Sequence, residues 1–234
     1  MVIKTLNEQR RFFRSGQTKS YAFRMDALKK LYDAIEQYED EILRALSDDL
    51  GKSNFEAYIT EVGVIKLEIT KMRKALKSYM KPRRIRHGIA LFKAKSMLFQ
   101  EPYGNVLIMS PWNYPFQLSI SPLIGAIAAG NTAIIKVSEE SKNIAELTQK
   151  MIDQAFDPHY IKVVTGDVSV SEALLELPFD YIFFTGSPRV GKIVMEKASK
   201  HLTPVTLELG GKSPAIVHDV NQIALAARRI AYGK

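Results

Sequence analysis

The chain has 234 residues, of which 46% are hydrophobic and 25% charged, a composition typical of a globular protein with a sizeable core. It has no cysteine and four scattered histidines, which excludes disulfides, thiolate metal sites and a histidine cluster with metal-ligand spacing. No apolar run is long enough to cross a bilayer, and the first residues have no apolar core of the signal-peptide type. We therefore expect a cytoplasmic protein with no membrane span and no metal site.

The net charge of +8 is concentrated in one segment. Between Lys71 and Gln100 there are ten Lys or Arg residues and no Asp or Glu, while the rest of the chain carries 23 basic and 25 acidic residues. A protein that binds nucleic acid over its whole surface distributes basic residues more widely, so no nucleic-acid partner is expected. For the segment itself we favour a solvated charged arm, and a patch for an anionic surface stays open as the alternative.

The first 81 residues have the pattern of helices. Apolar residues recur at helical spacing from Ser20 to Leu50, which predicts one long helix. Ser53 and Glu56 form a capping-box pattern, which predicts a second long helix that continues to about Met80. Residues 82–101 then predict a β-hairpin or a pair of short strands, with apolar runs at 89–92 and 96–99.

After Pro102 the pattern alternates between strand and helix. The predicted strands are Asn105–Met109, Thr132–Lys136, Tyr160–Thr165, Asp180–Phe184, Val205–Leu209 and Ala215–Val217. The predicted helices are Phe116–Ala129, Lys142–Ala155, Val168–Leu177, Arg189–Ser199 and Asn221–Ala231. Apolar strands separated by helices indicate an α/β fold with a parallel sheet that is covered on both faces. Ligands of such sheets bind in the loops that follow the strands.

Two of these loops carry polar side chains suited to a substrate and a cofactor. In Met109–Phe116, Asn113 lies between two prolines and can stabilise an oxyanion through its amide, or it can simply cap the next helix. After the second strand, Lys136 and Glu139 are spaced to grip the vicinal hydroxyls of a ribose. A solvated helix start with Ser138 as its cap is the competing interpretation.

Two further loops are rich in glycine. Gly186 and Gly191 flank the start of a helix, so that backbone N–H groups and the helix N-terminus can face a pyrophosphate. This segment is not a P-loop, because Lys192 is followed by isoleucine instead of Ser or Thr. At the end of the Val205–Leu209 strand, Glu208 precedes two glycines and is either a general base or an ordinary outward-facing residue before a turn.

The four loops occur in the order and spacing of four motifs of one enzyme family. PWNYP at 111–115, KVSE at 136–139, FTGSPRVGK at 184–192 and LELGGKSP at 207–214 resemble the motifs of the aldehyde dehydrogenases, most nearly those of their shorter branch. The resemblance implies that Asn113 is an oxyanion-hole donor and that Glu208 activates the water that hydrolyses a thioester. It also implies a set of cofactor-binding residues: Pro111, Trp112, Lys136, Ser138, Glu139, Gly186, Ser187, Val190, Gly191, Leu209 and Gly210.

The implied cofactor is NAD, with NADP possible. The family pattern has proline where this chain has Val137, a change that removes some loop rigidity but keeps both ribose ligands. A glutamate at the ribose repels a 2′-phosphate, so Glu139 favours NAD over NADP.

The resemblance further implies a division of the chain. Residues 1–81 would pack as helices on a Rossmann-like NAD(P)-binding domain at 102–210, residues 82–101 would form an oligomerisation hairpin toward a partner subunit, and 211–234 would begin a catalytic domain. The family reaction oxidises an aldehyde to a carboxylic acid through a cysteine thioester. Since this chain has no cysteine, we expect it to be inactive alone, with an NAD-binding or subunit-pairing fragment as the alternative.

Overall fold

The computed structural model describes residues 2–86, 88–218 and 221–233, and within it residues 105–209 form a parallel sheet with its connecting helices. Its strands are β3 (Asn105–Met109), β4 (Thr132–Lys136), β5 (Ile161–Val164), β6 (Tyr181–Gly186) and β7 (Val205–Leu209), and all pairs are parallel. The strand order is β5-β4-β3-β6-β7. The chain therefore begins at the centre, winds outward to β5 and crosses back to β6. The α/β fold with a parallel sheet is confirmed.

Helices cover both faces of this sheet. They are α6 (Gln117–Ala129), α7 (Lys142–Ala155), α8 (Val168–Leu175) and α9 (Pro188–Ser199). Ile108 and Ile135 point into a core formed with α6 and α7, whereas Leu107 and Ile134 point into a second core formed with α8 and α9. Neighbouring residues of a strand thus belong to opposite cores, and this is why the strands are apolar without alternation.

The first eighty residues are helical, but the two long predicted helices are divided. They comprise α1 (Val2–Arg14), α2 (Tyr21–Gln37), α3 (Glu39–Leu50), α4 (Asn54–Ala57), a π-helical turn (Tyr58–Val62) and α5 (Gly63–Tyr79). The single helix predicted from Ser20 to Leu50 is wrong, because the backbone at Tyr38 leaves the helical conformation, with φ −100° and ψ 7°. The Tyr38 ring is buried at this break, and its hydroxyl group donates to Gln154. The predicted cap is confirmed, since the Ser53 hydroxyl accepts from the Glu56 N–H at 3.2 Å.

The basic segment forms a hairpin with a different strand from the one expected. β1 (Arg83–Ile85) pairs antiparallel with β2 (Ser96–Leu98), whereas the apolar run at 89–92 contains a 3₁₀ turn, Ile89–Leu91. The strand prediction for 89–92 is therefore wrong. The basic residues of β1 face solvent on an exposed two-stranded ribbon, where charged side chains are tolerated.

Two predictions concern the last residues. The strand expected at 215–217 is wrong, because these residues have no regular structure and pair with no strand of the sheet. The final helix is present as α10 (Ile223–Gly233), and none of its described residues is buried. Ile216 and Ile223 are 89% and 71% exposed, so apolar sequence at this end of the chain does not reflect burial.

Candidate active site and cofactor cleft

A cavity of about 440 Å³ lies at the carboxyl edge of the sheet. It is bounded by the ends of β3, β4 and β6, by α8 and by the first turns of α9. The chain leaves β3 and β6 toward helices on opposite faces, so this edge is the switch point at which open parallel sheets bind ligands. The volume lies within the range usual for small-molecule sites, about 300–1,000 Å³.

Eight of the predicted cofactor-binding residues line this cavity. They come from three different loops and are Pro111, Trp112, Lys136, Ser138, Glu139, Gly186, Ser187 and Val190. The sheet register explains why they meet, since Met109 is paired with both Lys136 and Phe184 at the ends of adjacent strands. The cavity thus joins the first three of the four loops.

Lys136 and Glu139, the pair predicted to hold a ribose, have a defined geometry. The Lys136 side chain is only 2% exposed, and its ammonium group donates to the Glu139 carboxylate at 3.0 Å and to the Val137 carbonyl oxygen at 2.8 Å. Glu139 itself is about one third exposed at the cavity wall. A buried lysine with an exposed carboxylate partner offers one donor and one acceptor to a diol, which fits a ribose.

The first turn of α9 has features that suit an anion. Ser187 is the N-cap, and its hydroxyl accepts from the Val190 N–H at 3.3 Å, with Pro188 in the first turn. A helix N-terminus carries a positive partial charge and backbone donors, which suit a phosphate group. A Cβ on Gly186 would lie 2.5 Å from the Phe184 ring, so any larger residue there would force the ring or the loop to shift.

Gly191 lies on the other side of α9. A Cβ there would approach Leu209 Cδ2 to 2.9 Å, so the glycine allows α9 to pack closely on β7. This packing gives a physical reason for glycine at 191, and a direct part in cofactor binding stays a prediction.

The two predicted catalytic residues lie outside the lining of the cavity. Asn113 follows Trp112 in the loop and is exposed, and its carbonyl oxygen accepts from the Lys52 ammonium group at 3.0 Å. Glu208 is exposed near the end of β7, paired in register with Thr185 of β6, and is followed by Leu209 and Gly210, which are also exposed. The strand pairing thus brings the fourth loop to the same edge of the sheet as the other three.

Helix α8 contributes cavity residues that the motifs did not indicate. Val168, Ser171, Glu172 and Leu175 line one wall, and Arg189 and Ile193 of α9 are likewise unpredicted. Apolar spacing from Val168 to Leu175 was the available signal, because it marks one face of a short helix. Beside this wall, hydrogen bonds from the hydroxyl and N–H of Ser169 hold the pKa of Asp167 below its usual value.

Among the described residues, no three His, Asp or Glu side chains come together as a metal-binding group. In the same part of the chain, none of the helices combines the length and apolarity needed to span a membrane.

Comparisons with known proteins point to one enzyme family. The model of the "Aldehyde dehydrogenase family" matches residues 2–234. The chain is 51% identical over 97% of its length to 4,4'-diaponeurosporen-aldehyde dehydrogenase of Staphylococcus aureus, covering 50% of that protein. It is 44% identical over 98% of its length to aldehyde dehydrogenase family 3 member H1 of Arabidopsis thaliana, covering 47% of it.

Among solved structures, the substrate-bound state of Staphylococcus aureus AldH superposes with a TM-score of 0.95 at 49% identity, over 100% of this chain and 51% of that one. The chain thus spans about half the length of the relatives it matches. Four motifs in register at one edge of a parallel sheet, together with a family match over nearly every residue, lead to one conclusion: this chain belongs to the aldehyde dehydrogenase family.

Proposed function

We propose that this chain is the cofactor-binding part of an NAD(P)-dependent aldehyde dehydrogenase that oxidises an aldehyde to a carboxylic acid. The observation that carries the proposal is the cavity, which joins the Lys136–Glu139 pair and the α9 N-terminus at one sheet edge. Lys136 and Glu139 would hold the adenosine ribose, with Ser138 beside them. Gly186, Ser187, Val190 and Gly191 would lie at the pyrophosphate.

The remaining roles follow the motifs. Pro111 and Trp112 would form one wall of the cofactor site, and Leu209 and Gly210 would supply backbone contacts at the nicotinamide. When bound, the nicotinamide accepts a hydride from the substrate. Asn113 would donate its amide N–H to the oxyanion, and Glu208 would accept a proton from the hydrolytic water.

We do not expect this chain alone to turn over an aldehyde. The family reaction needs a thiol nucleophile, and no cysteine occurs in the 234 residues. We therefore expect cofactor binding without formation of reduced nicotinamide from any aldehyde. We also propose that subunits pair through residues 82–101, because this hairpin exposes Met97 and Phe99 beside its arginines.

The test is calorimetric titration of the chain with NAD⁺ and NADP⁺. Ser187→Asp keeps an N-cap oxygen for α9 but adds a negative charge at the pyrophosphate. Two unit charges 4 Å apart repel by about 1 kcal/mol even in water, so NAD⁺ affinity should fall at least about fivefold. Ser20→Asp, which alters the N-cap of helix α2 in the same way, should leave affinity unchanged.

Glu139 gives a second arm of the same titration. Glu139→Gln removes the charge that disfavours a 2′-phosphate, so the preference for NAD⁺ over NADP⁺ should narrow. If the unaltered chain bound neither cofactor, or if Ser187→Asp bound NAD⁺ as tightly as the unaltered chain, the proposed cofactor site would be refuted.

A further inference from the structure

A buried ion pair lies among the N-terminal helices, apart from the residues that line the cofactor cavity. The Lys52 ammonium group is 2.5 Å from one carboxylate oxygen of Glu61, and the two side chains are 9% and 0% exposed. A buried ion pair is by itself a weak source of stability, because removing both charges from water costs about as much as their attraction returns. The other hydrogen bonds of the pair are therefore the more informative feature.

Glu61 caps a helix that is distant in the sequence. Its second carboxylate oxygen accepts from the backbone N–H groups of Phe116 at 3.0 Å and Gln117 at 3.1 Å, at the start of α6. Phe116, the N-cap residue of α6, provides no side-chain cap of its own. A carboxylate at a helix N-terminus satisfies unpaired donors and complements the helix dipole. Glu61 thus fixes the point at which the PWNYP loop becomes a helix.

Lys52 holds the same loop three residues earlier. Its ammonium group donates to the Asn113 carbonyl oxygen at 3.0 Å and lies 4.0 Å from the centroid of the Tyr114 ring. The pair therefore holds the backbone on both sides of Tyr114 and Pro115. The Asn113 side chain is exposed, so its direction depends on the backbone that Lys52 fixes.

The backbone around Glu61 is also unusual. Glu61 belongs to the π-helical turn Tyr58–Val62, and such turns occur frequently at functional sites. The turn closes against Gly63, where a Cβ would lie 3.0 Å from the Tyr58 carbonyl oxygen and 3.1 Å from its ring. This geometry is a second, independent indication that the position of Glu61 matters.

We infer that Lys52 and Glu61 are positioning residues for the oxyanion donor Asn113 and for the adjacent wall of the cofactor site at Trp112. The inference rests on the proposed function. It assigns to the N-terminal helices a part in the chemistry, because Lys52 and Glu61 from these helices hold the loop between β3 and α6.

The experiment uses Trp112, the one tryptophan of the chain, as a reporter in the loop itself. Time-resolved fluorescence anisotropy of Trp112 is compared in the unaltered chain and in Lys52→Met, Lys52→Arg and Lys66→Met, without cofactor. Lys66 is the matched control, since it makes ion pairs with Glu36 and Glu39 at 3.1 and 3.0 Å that do not touch the loop.

We expect Lys52→Met to increase the amplitude of fast Trp112 motion at least twofold and to weaken NAD⁺ binding, while far-UV circular dichroism stays unchanged. Lys52→Arg, which keeps a charged donor, should restore most of the order. Lys66→Met should resemble the unaltered chain. Unchanged Trp112 motion in folded Lys52→Met, or an equal change in Lys66→Met, would overturn the inference.

If Lys52→Met does not fold, the double variant Lys52→Met/Glu61→Met replaces it, because no buried charge is then left without its partner. Hydrogen exchange in the unaltered chain gives a reading that needs no variant. Slow exchange of the Phe116 and Gln117 amides supports the inference, and exchange at the rate of a free peptide refutes it. A failure of the proposed function appears separately, as absence of cofactor binding by the unaltered chain.

Discussion

Glu68 is a half-buried carboxylate on α5 that accepts a hydrogen bond from Ser121 of α6. Burial raises the pKa of Glu68 above its usual value. The folded chain therefore binds this proton more readily than the unfolded chain does. At pH values above the pKa of Glu68 in the folded chain, its charged form lowers the free energy of unfolding. This destabilisation disappears below its pKa in the unfolded chain, about 4.5.

Because the buried charge of Glu68 is destabilising at neutral pH, we predict that Glu68→Gln stabilises the protein at pH 7. Glutamine keeps a hydrogen bond to Ser121 without a charge. Water still screens a half-exposed group, so the gain should be below about 1 kcal/mol. It should shrink as the pH falls through the pKa of Glu68. Urea unfolding at several pH values measures it, with exposed Glu146→Gln as control, and a loss of stability at pH 7 in Glu68→Gln would contradict the argument.

Individual site residues were predictable where they lie in short contiguous motifs. Lys136 and Glu139 are three apart after a buried strand, so the sequence alone indicated that they could act together on one ligand, and both line the cavity. Lys52 and Glu61 were not predicted as site residues, because their partners lie 61 and 55 residues away in the chain. A charged residue in a helix has no local feature that tells whether it meets solvent or a distant backbone donor.

Among the helices, α7 shows how a cap can come from another element. Its own N-cap residue, Ser141, makes no capping hydrogen bond and instead donates to the Trp112 carbonyl oxygen at 3.0 Å. Asp49, in the last turn of α3, accepts from the backbone N–H groups of Asn143 at 3.2 Å and Ile144 at 2.9 Å. Capping by Asp49 thus leaves Ser141 available to hold the PWNYP loop.

We predict that Asp49→Ala lowers the free energy of unfolding by about 0.5–2 kcal/mol, the usual cost of losing an N-cap. The negative charge of Asp49 interacts favourably with the helix dipole at the start of α7 and unfavourably with the dipole at the end of α3. These two contributions oppose each other, so the lost hydrogen bonds determine whether the variant is less stable. Asp48→Ala removes an exposed neighbouring charge and should change stability by less than about 0.5 kcal/mol. Equal urea midpoints for the two variants would show that capping of α7 by Asp49 does not stabilise the protein.

At this scale the sequence predicted β7 and α7 to the residue, because both have strong periodic or apolar patterns between clear turn signals. It failed at Tyr38, at the π-helical turn and at 89–92. In each case the local sequence pattern favoured a regular helix or strand. The structure differs there because it also depends on tertiary contacts or on which strand is available for pairing. The strand expected at 215–217 failed for the same reason, since no neighbouring strand pairs with it.

Across the whole molecule, the two halves of the sheet differ in what covers them. The β3–β5 side is packed beneath α2, α5, α6 and α7 in a large core that includes fully buried Leu31 and Ile69. At the opposite end, β7 is the last strand of the sheet, and its final residue, Leu209, is 42% exposed. Alternation of strands and helices indicated a parallel sheet, but strand order depends on contacts between distant segments and was not predictable from pattern.

Exposed apolar side chains cluster in sequence after β7, and we predict that they drive self-association. Ile216, Val217 and Ile223 are 89%, 47% and 71% exposed, and exposed apolar side chains of this size favour association. Sedimentation velocity should show species larger than a monomer whose share rises with protein concentration. The double variant Ile216→Lys/Ile223→Lys should remove the larger species, because charge disfavours burying this surface. Met97→Lys/Phe99→Lys on the hairpin should instead remove only the dimer proposed for that ribbon. If the unaltered chain stays a monomer at every protein concentration, association through either surface is refuted.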